Sequence, residues 1–351
     1  MAIRVLHWGT GPTGCAALRG IIGRPDLELV GLYVARPERA GRDAGSFVGL
    51  PDTGITATHD LDTFQSIDAD ALSYFGAITA SVDDVIPFLR RGIDVVTATY
   101  SWLILPDFAP PTMIDPVETA CREGNASLFA TGVEPGMFSD LLPTTLLNAV
   151  DELHSIRVSE IANYGAYPLE SNMRMFGFGA PPDAHVPVFD VALDVWSAVV
   201  RNLAHELAVE LDDVVLRTDT AVTDVDVPTV CYTVEAGTIA AIRIELVGMK
   251  DGQELITVEH VNYVSPDVCR HWPHTLGGGH TAYQIEITGR PMLRCEVNLD
   301  LVPELDLDSG LVATAMRSIN SLPWIVDARP GVLGPMDVPV HPTRNVRSGG
   351  T

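Results

Sequence analysis

The sequence contains a single lysine, Lys250, among its 22 basic residues. Lys250 lies in the turn-like segment Met249–Gly252, which disfavours any mechanism that needs a buried catalytic lysine. The five cysteines are scattered and form no CxxC pair, so they indicate reduced thiols and not a disulfide framework. No uninterrupted apolar run reaches the roughly 18 residues of a membrane span, and no transmembrane helix is expected.

Basic charge is scarce overall, and the formal net charge is −24. This charge argues against nucleic acids and anionic membranes as partners, and an anionic cofactor would need a local basic patch. The segment Met1–Leu6 runs directly into a predicted strand and leaves no room for a signal peptide, so a cytoplasmic protein is expected. The chain also lacks a GxSxG elbow and a Walker A pattern, so nothing supports a hydrolase or an NTPase.

The first 140 residues alternate short apolar runs with helical patterns, which is typical of βαβ units and a parallel sheet. The predicted strands are Ile3–Trp8, Leu27–Ala35, Ala71–Ile78, Asp94–Thr99 and Ser127–Ala130. The predicted helices are Thr13–Gly23, Val82–Arg91 and Pro116–Glu123.

From about Asp140 the pattern changes to strands joined by turns, which indicates an antiparallel sheet. The predicted strands are His154–Glu160, Cys231–Glu235, Ile242–Val247, Glu254–Val261, Tyr283–Ile287 and Met292–Asn298, with a helix over Phe189–Leu211. A last helix, Gly310–Leu322, ends at Pro323 and is expected to pack on the first domain. The predicted fold class is therefore α/β. A Rossmann-type parallel-sheet domain (1–140 and 308–351) is joined to an α+β domain with a mainly antiparallel sheet (141–307).

A GxGxxG fingerprint, Gly9-Thr10-Gly11-Pro12-Thr13-Gly14, joins the first predicted strand to the first helix. Gly9 permits the tight turn, Gly11 lets the backbone approach a pyrophosphate, and Gly14 allows close packing of helix on strand. The helix N-terminus favours the pyrophosphate charge. The motif predicts a dinucleotide site, and the alternative is a glycine-rich turn without a ligand.

The second predicted strand ends in Val34-Ala35-Arg36, with Arg39 three residues later and no carboxylate at the tip. An NAD site usually has a carboxylate there for the ribose, whereas arginines accommodate a 2′-phosphate. Arg36 and Arg39 therefore predict NADP(H) in preference to NAD. The alternative is a solvated basic loop with Glu38 on the ribose. Phe75 and Gly76 are expected to contact the cofactor from the third strand.

Three motifs together resemble a known family: the fingerprint, the turn Thr131–Met137 followed by Asp140, and the helix end Arg317–Pro323. The chain is similar to the dihydrodipicolinate-reductase-like superfamily. Within it, the NADP-dependent 2,4-diaminopentanoate dehydrogenases and native amine dehydrogenases are most similar. The resemblance implies hydride transfer between NADPH and an imine formed from a ketone and ammonia. It also implies a homodimer in which the sheet of the second domain builds both the substrate pocket and the subunit contact.

The chain departs from this family at the catalytic position. The family has a glutamate after the fourth strand, but this sequence reads Ala98-Thr99-Tyr100-Ser101-Trp102. The later turn carries Glu134 where the family has asparagine. Glu134 is therefore the first candidate for the catalytic proton carrier, with Tyr100 and Ser101 as further candidates at the same sheet edge. Dihydrodipicolinate reductase itself is disfavoured, because its His-His and lysine stretch is missing.

Aromatic and histidine residues are expected to line the substrate pocket, and the predicted set is Trp102, Met137, Tyr164, Tyr167, His271 and His280. The segment from Cys269 to His280 contains zinc-compatible residue types, but its spacing matches no common structural site. We expect a substrate flap there and no metal.

The resulting prediction is an NADP-dependent oxidoreductase that acts on the imine or carbonyl carbon of a small substrate. The most specific form of this prediction is an amine dehydrogenase. Two alternatives remain open: a carbonyl reductase that does not use ammonia, and a non-catalytic NADP(H)-binding sensor.

Overall fold

The computed structural model describes residues 2–77, 79–277, 280–300 and 309–346. The chain divides into two units, Met1–Met137 with Leu311–Thr351, and Phe138–Gly310. Within the described ranges, no helix is long and apolar enough to cross a membrane.

The first unit is built on a six-stranded parallel sheet. Its strands are β1 (Ile3–Trp8), β2 (Leu27–Tyr33), β3 (Ala71–Tyr74), β4 (Asp94–Thr97), β5 (Ser127–Ala130) and β14 (Gly331–Leu333). Its helices are α1 (Pro12–Ile22), α2 (Leu61–Ser66), α3 (Ile86–Arg90), α4 (Pro111–Gly124) and α8 (Ser309–Ile325). The strand order is β14-β5-β4-β3-β1-β2. This Rossmann-type architecture confirms the predicted fold class.

Strands β3 and β5 are buried along their whole length, as expected for strands covered on both faces. Strands β2, β3 and β4 end earlier than predicted, at Tyr33, Tyr74 and Thr97, because the apolar run continues into the loops at the carboxyl edge. The apolar pattern therefore predicted burial correctly, but it could not show where strand pairing stops.

Prolines explain the main differences among the helices of this unit. The helix predicted over Val82–Arg91 is instead a 3-10 turn, Val82–Asp84, followed by α3, because Pro87 lacks an N–H and suits only the first turn of a helix. Helix α4 begins at Pro111, in the first-turn position that proline favours. The prediction had α4 start at Pro116, which lies inside the helix.

The C-terminal motif Arg317–Pro323 packs α8 onto the parallel sheet. The Arg317 guanidinium lies 5.2 Å from the centre of the buried Phe129 ring on β5, and burial lowers its pKa to about 10. Asn320 accepts a hydrogen bond of 2.9 Å from Arg24 at the end of α1. Pro323 lies within α8 and does not end it, contrary to the prediction, and the helix continues to Ile325.

The second unit contains a six-stranded mixed sheet. Its strands are β6 (Glu152–Asn163), β7 (Asp213–Val222), β10 (Ile239–Lys250), β11 (Gln253–Tyr263), β12 (Thr281–Arg290) and β13 (Leu293–Leu299), with a separate ladder of β8 (Val227–Pro228) and β9 (Thr233–Val234). Its helices are α5 (Leu142–Leu147), α6 (Glu170–Met175) and α7 (Pro187–Glu206). The order is β13-β12-β6-β11-β10-β7, and every pair is antiparallel except β6 with β11. The mainly antiparallel prediction is confirmed.

Helix α7 covers one face of this sheet. It ends at Glu206 and not at the predicted Leu211, because Ala208 adopts a left-handed φ of 54° that no helix continues through. Its Trp196 ring lies 4.2 Å from the ring of His260 on β11. Since side chains alternate along a strand, Glu259 points to the opposite face.

Two strand predictions in this unit differ from the structure. The sequence pattern does not predict strand β7. Of the predicted strand Cys231–Glu235, only Thr233–Val234 forms a strand.

Candidate functional site

The glycines of the fingerprint are required by close backbone contacts. Gly9 has a φ of +110°, and a Cβ atom there would lie 2.1 Å from the Phe75 carbonyl oxygen. A Cβ at Gly14 would lie 2.6 Å from the Gly9 carbonyl oxygen. Both distances are shorter than any real contact, so these two positions fix the turn between β1 and α1 and accept only glycine.

Gly11 differs from its two neighbours. It is the N-cap of α1, no side chain caps the helix, and the first turn contains no acidic residue. Among the described residues, no heavy atom lies within 4 Å of a Cβ built at Gly11. The space beside this backbone and the positive end of the helix suit a close approach by an anionic group such as a pyrophosphate.

Three arginines follow the end of β2. Arg39 donates from Nη1 to the carbonyl oxygen of Thr10 at 2.8 Å and to its hydroxyl at 2.9 Å, which ties the basic loop to the fingerprint. The Arg42 guanidinium lies 4.3 Å from the centre of the Phe47 ring. Arg36 is exposed, and within the described part of the chain no carboxylate lies within 4.0 Å of it. The Arg36 guanidinium is therefore available to bind an anionic group of a ligand.

A cavity of about 490 Å³ lies beside the fingerprint. It is lined by Trp8, Gly9, Thr10, Gly11, Pro12, Tyr33, Ala35, Arg36, Arg39, Tyr74, Phe75, Gly76, Ala77, Ala80 and Asp84. Eight of the ten predicted cofactor residues are in this lining, and the other two, Thr13 and Gly14, are in the first turn of α1. The donor groups, the helix end and the basic loop together fit the diphosphate and adenosine portion of a dinucleotide.

His7 is fully buried and contacts the first glycine of the fingerprint. Its Nε2 lies 2.8 Å from the Gly9 carbonyl oxygen, and its Nδ1 lies 3.1 Å from the Ser73 hydroxyl. In the neutral tautomer with hydrogen on Nε2, the ring donates to Gly9 and accepts from Ser73. Burial lowers the pKa of His7 to about 4, so the ring stays neutral at physiological pH.

Acidification should destabilise the folded chain through His7. The ring binds a proton near pH 6.5 in the unfolded chain but only near pH 4 in the folded one. Between these values the unfolded state binds more protons, so stability decreases as the pH is lowered, by about 3 kcal/mol in total from this group. Urea unfolding from pH 7 to pH 4 should show a smaller loss for His7→Gln than for wild type. His154→Gln, at an exposed histidine, serves as the control. Parallel curves for wild type and His7→Gln would contradict this account.

Tyr100 and Ser101 follow β4, as predicted, but their surroundings differ. Tyr100 is buried, its ring stacks on Tyr74 at 5.4 Å, and its hydroxyl donates to the Ser81 carbonyl oxygen at 2.8 Å. Burial raises the pKa of Tyr100 above its usual value. These contacts favour packing over proton donation for Tyr100. Ser101 begins a 3-10 turn that contains the partly exposed Trp102.

Glu134 lies on the loop that follows β5 and is partly buried. The Thr131 amide donates to the Thr97 carbonyl oxygen of β4 at 2.8 Å, and the Met137 amide closes the loop onto Gly132 at 3.0 Å. Gly136 has a φ of +130°, a conformation that suits glycine. The loop is thus fixed at both ends, and Glu134 is positioned at the carboxyl edge of the parallel sheet, where ligands bind in such folds.

Four predicted pocket residues belong to the second unit. Tyr164 lies in an aromatic group, with its ring 4.7 Å from Tyr167 and 5.0 Å from Phe176. His271 is exposed, and His280 directly precedes β12. The remaining two, Trp102 and Met137, belong to the first unit.

Two residues of the zinc-compatible segment that starts at Cys269, Cys269 itself and Trp272, are buried. Cys269 and Trp272 pack in a core cluster with Val261 and Tyr263 of β11. Burial raises the pKa of the Cys269 thiol to about 12, which disfavours the thiolate that a metal needs. No metal-ligand cluster of three His, Cys, Asp or Glu side chains occurs among the residues with described positions.

Four residues that line the cavity are not among the predicted site residues. These residues are Trp8, Tyr33, Tyr74 and Asp84. Trp8 and Tyr33 end β1 and β2, so their positions before the two cofactor loops were a usable signal. Asp84 could not be found in this way, because it lies in the 3-10 turn Val82–Asp84 and not at the end of a strand.

Comparison with known proteins places the whole chain among dehydrogenases. The family model of the 2,4-diaminopentanoate dehydrogenase C-terminal domain matches residues 139–346. An amine dehydrogenase from Streptomyces virginiae is 33% identical, over 97% of this chain and 97% of that protein. A 2,4-diaminopentanoate dehydrogenase from Acetoanaerobium sticklandii is 22% identical, over 96% of this chain and 94% of that protein. The solved amine dehydrogenase of Mycobacterium smegmatis shares the fold, with a TM-score of 0.77, 15% identity and 98% coverage of both chains.

Proposed function

Because the chain belongs to the family of amine dehydrogenases and 2,4-diaminopentanoate dehydrogenases, we propose that it uses NADPH to reduce the imine formed from ammonia and a small ketone or aldehyde. The chain is an oxidoreductase of the dehydrogenase class that uses a nicotinamide cofactor and acts on a small substrate. The observation that supports NADPH as the cofactor is the cavity beside the fingerprint. Arg36 and Arg39 line it, and the end of β2 carries no carboxylate.

The preference for NADPH rests on Arg36. A 2′-phosphate needs a cation with free N–H donors near the end of β2, and Arg36 is exposed in the lining of the cavity. Arg39 already donates to Thr10, so its first role is to hold the loop. Glu38 is an exposed carboxylate in the same loop.

Arg36→Ala should weaken NADPH binding by about tenfold or more, since a hydrogen bond to a charged group contributes about 1.5–3 kcal/mol. NADH binding should change by less than about twofold, because NADH lacks the 2′-phosphate that Arg36 contacts. Titration calorimetry with both nucleotides checks this, and Arg42→Ala is the matched control because Arg42 stacks on Phe47. An equal loss of NADH and NADPH affinity in Arg36→Ala would contradict a phosphate-specific role.

The reaction itself needs hydride and proton transfers. A ketone, ammonium and NADPH give an amine, NADP⁺ and water, with the carbonyl oxygen leaving as water. The bound nicotinamide supplies the hydride. For the chain, we assign Glu134 to the proton transfers. As a carboxylate it takes a proton from ammonium, so that the resulting ammonia can attack the carbonyl carbon and form a carbinolamine. As a carboxylic acid it returns that proton to the carbinolamine hydroxyl, which leaves as water and gives the iminium ion that accepts the hydride.

The test of this function is NADPH oxidation with a panel of small ketones and aldehydes, each with and without excess ammonium. Rates that appear only with ammonium are the expected result. Ammonium-independent rates would contradict amination and identify a carbonyl reductase. NADPH binding without turnover of any carbonyl would favour a sensor, the alternative suggested by the missing carboxylate in Ala98–Trp102.

The sheet of the second unit suits contact with a second copy. On the face opposite α7, Glu259 is fully buried and bonded to Arg243 at 2.6 Å. Burial raises the pKa of Glu259, but the Ser159 hydrogen bond and the charges of Arg157 and Arg243 together lower it below its usual value. Strands bearing such an ordered ion-pair network form a rigid surface, and we propose that the protein is a homodimer through it. Light scattering should give twice the chain mass of 37.7 kDa.

A further inference from the structure

A carboxylate lies in the wall of the cofactor cavity, although the cofactor is an anion. Asp84 lines the cavity together with Tyr33 and Tyr74. It ends the 3-10 turn Val82–Asp84, two residues before α3 begins at Ile86, and it is partly buried. A negative charge here opposes phosphate binding, so its place in the cavity calls for a hydrogen-bond donor on the ligand.

The Asp84 carboxylate has a fixed orientation. The Tyr74 hydroxyl donates to Oδ2 at 2.5 Å, and Tyr74 is itself fully buried. The Tyr74 ring stacks on Tyr100, whose hydroxyl is anchored on the Ser81 carbonyl oxygen. A carboxylate accepts about four hydrogen bonds, so this one contact leaves Asp84 with capacity for a ligand donor.

The adenosine half of the cofactor offers two kinds of donor, the ribose hydroxyls and the 6-amino group of adenine. The 2′ position of the ribose carries the phosphate that is assigned above to Arg36 on the β2 loop. Tyr33 and Trp8 add aromatic surface next to Asp84, with their rings 4.1 Å apart, and such surface suits a purine better than a sugar. The 6-amino group is therefore the donor that best matches Asp84.

We propose that Asp84, oriented by Tyr74, accepts a hydrogen bond from the adenine 6-amino group and makes the cofactor site selective for adenine over 6-oxopurine dinucleotides. This inference rests on the nicotinamide cofactor proposed above. A 6-oxo group presents lone pairs to the same carboxylate, so the attraction becomes a repulsion.

The experiment measures the dissociation constants of NADPH and of reduced nicotinamide hypoxanthine dinucleotide phosphate by titration calorimetry, without any substrate. Wild type should bind NADPH about tenfold or more tightly than the hypoxanthine analogue. In Asp84→Asn the ratio should fall to within about twofold, because a side-chain amide can accept from an amino group or donate to an oxo group. Asp83→Asn is the matched control, since Asp83 is exposed and accepts a hydrogen bond from the Ser81 hydroxyl.

Equal affinity of wild type for the two nucleotides would overturn the inference, whether or not the variant folds. Selectivity that survives in Asp84→Asn would also overturn it. If Asp84→Asn changed the preference between NADH and NADPH but not between the two purines, Asp84 would face the ribose, and the inference would be wrong. If neither nucleotide bound to wild type, the cofactor assignment itself would fail, and the inference with it.

Discussion

Glu134→Gln is expected to lower kcat for NADPH-dependent amination by roughly 10²- to 10⁴-fold, the range typical of losing a positioned acid–base group. Glutamine keeps the shape and the hydrogen-bonding capacity of the side chain, but it neither takes up nor releases a proton. The loop is fixed by Thr131 and Met137, so the substitution should leave its backbone in place. Steady-state kinetics across a pH range would show the loss of one ionisation from the rate profile.

Two further measurements separate catalysis from binding at this position. NADPH affinity should be the same in wild type and Glu134→Gln, because the side chain follows β5 and the fingerprint follows β1. Asp107→Asn, at an exposed carboxylate of the same unit, is the matched control and should keep wild-type kcat. A kcat for Glu134→Gln within about threefold of wild type would remove Glu134 from the proton-transfer role.

Gly11→Ala should weaken NADPH binding by about a hundredfold, with no loss of thermal stability in the absence of nucleotide. The added methyl group meets no described atom within 4 Å, so folding is undisturbed. It does, however, block the close approach of a pyrophosphate to the backbone N–H groups, each of which contributes about 1.5–3 kcal/mol to an anion.

Gly9→Ala provides the contrast with Gly11→Ala. Its methyl group would lie 2.1 Å from the Phe75 carbonyl oxygen, at a φ of +110° that alanine rarely adopts. This variant should lose about 2 kcal/mol or more of unfolding free energy even without nucleotide. Denaturant unfolding and calorimetric binding on the same two proteins check both statements. Equal stability losses in the two variants would show that Gly11 is also a structural glycine.

The sequence predicts well those parts of the molecule that are encoded in short stretches of consecutive residues. The fingerprint at Gly9–Gly14 and the strand Ile3–Trp8 are visible in consecutive residues of the sequence, and β1 and α1 lie within one residue of their predicted positions. Strands β10 and β11 are likewise predicted, from the alternation of apolar and polar residues along each strand and from the turn that joins them. Each of these features is encoded in fewer than about 20 consecutive residues, the scale at which periodicity is informative.

Other features depend on residues far apart in the chain and could not be predicted. Tyr100 is a candidate proton donor by its position after β4, but its hydroxyl donates to the carbonyl oxygen of Ser81, which lies 19 residues earlier in the chain. The parallel pairing of β6 with β11 joins residues about a hundred positions apart, as Ser159 and Glu259 do. Strand β7 has mixed exposure on both faces and so carries no clear alternation.

The edge strand β14 has a consequence for how the protein is made. It closes the parallel sheet by pairing Gly331–Leu333 with Ser127–Phe129 of β5, and its Val332 amide donates to Glu118 at 2.8 Å. During synthesis, β5 leaves the ribosome some two hundred residues before the strand that pairs with it. For that interval one edge of β5 has no partner strand, since β5 pairs with β4 on its other side only, and an open edge on a strand that is buried in the folded protein is prone to aggregation. Expression yield should therefore depend on translation speed and chaperone supply, even for variants with unchanged equilibrium stability.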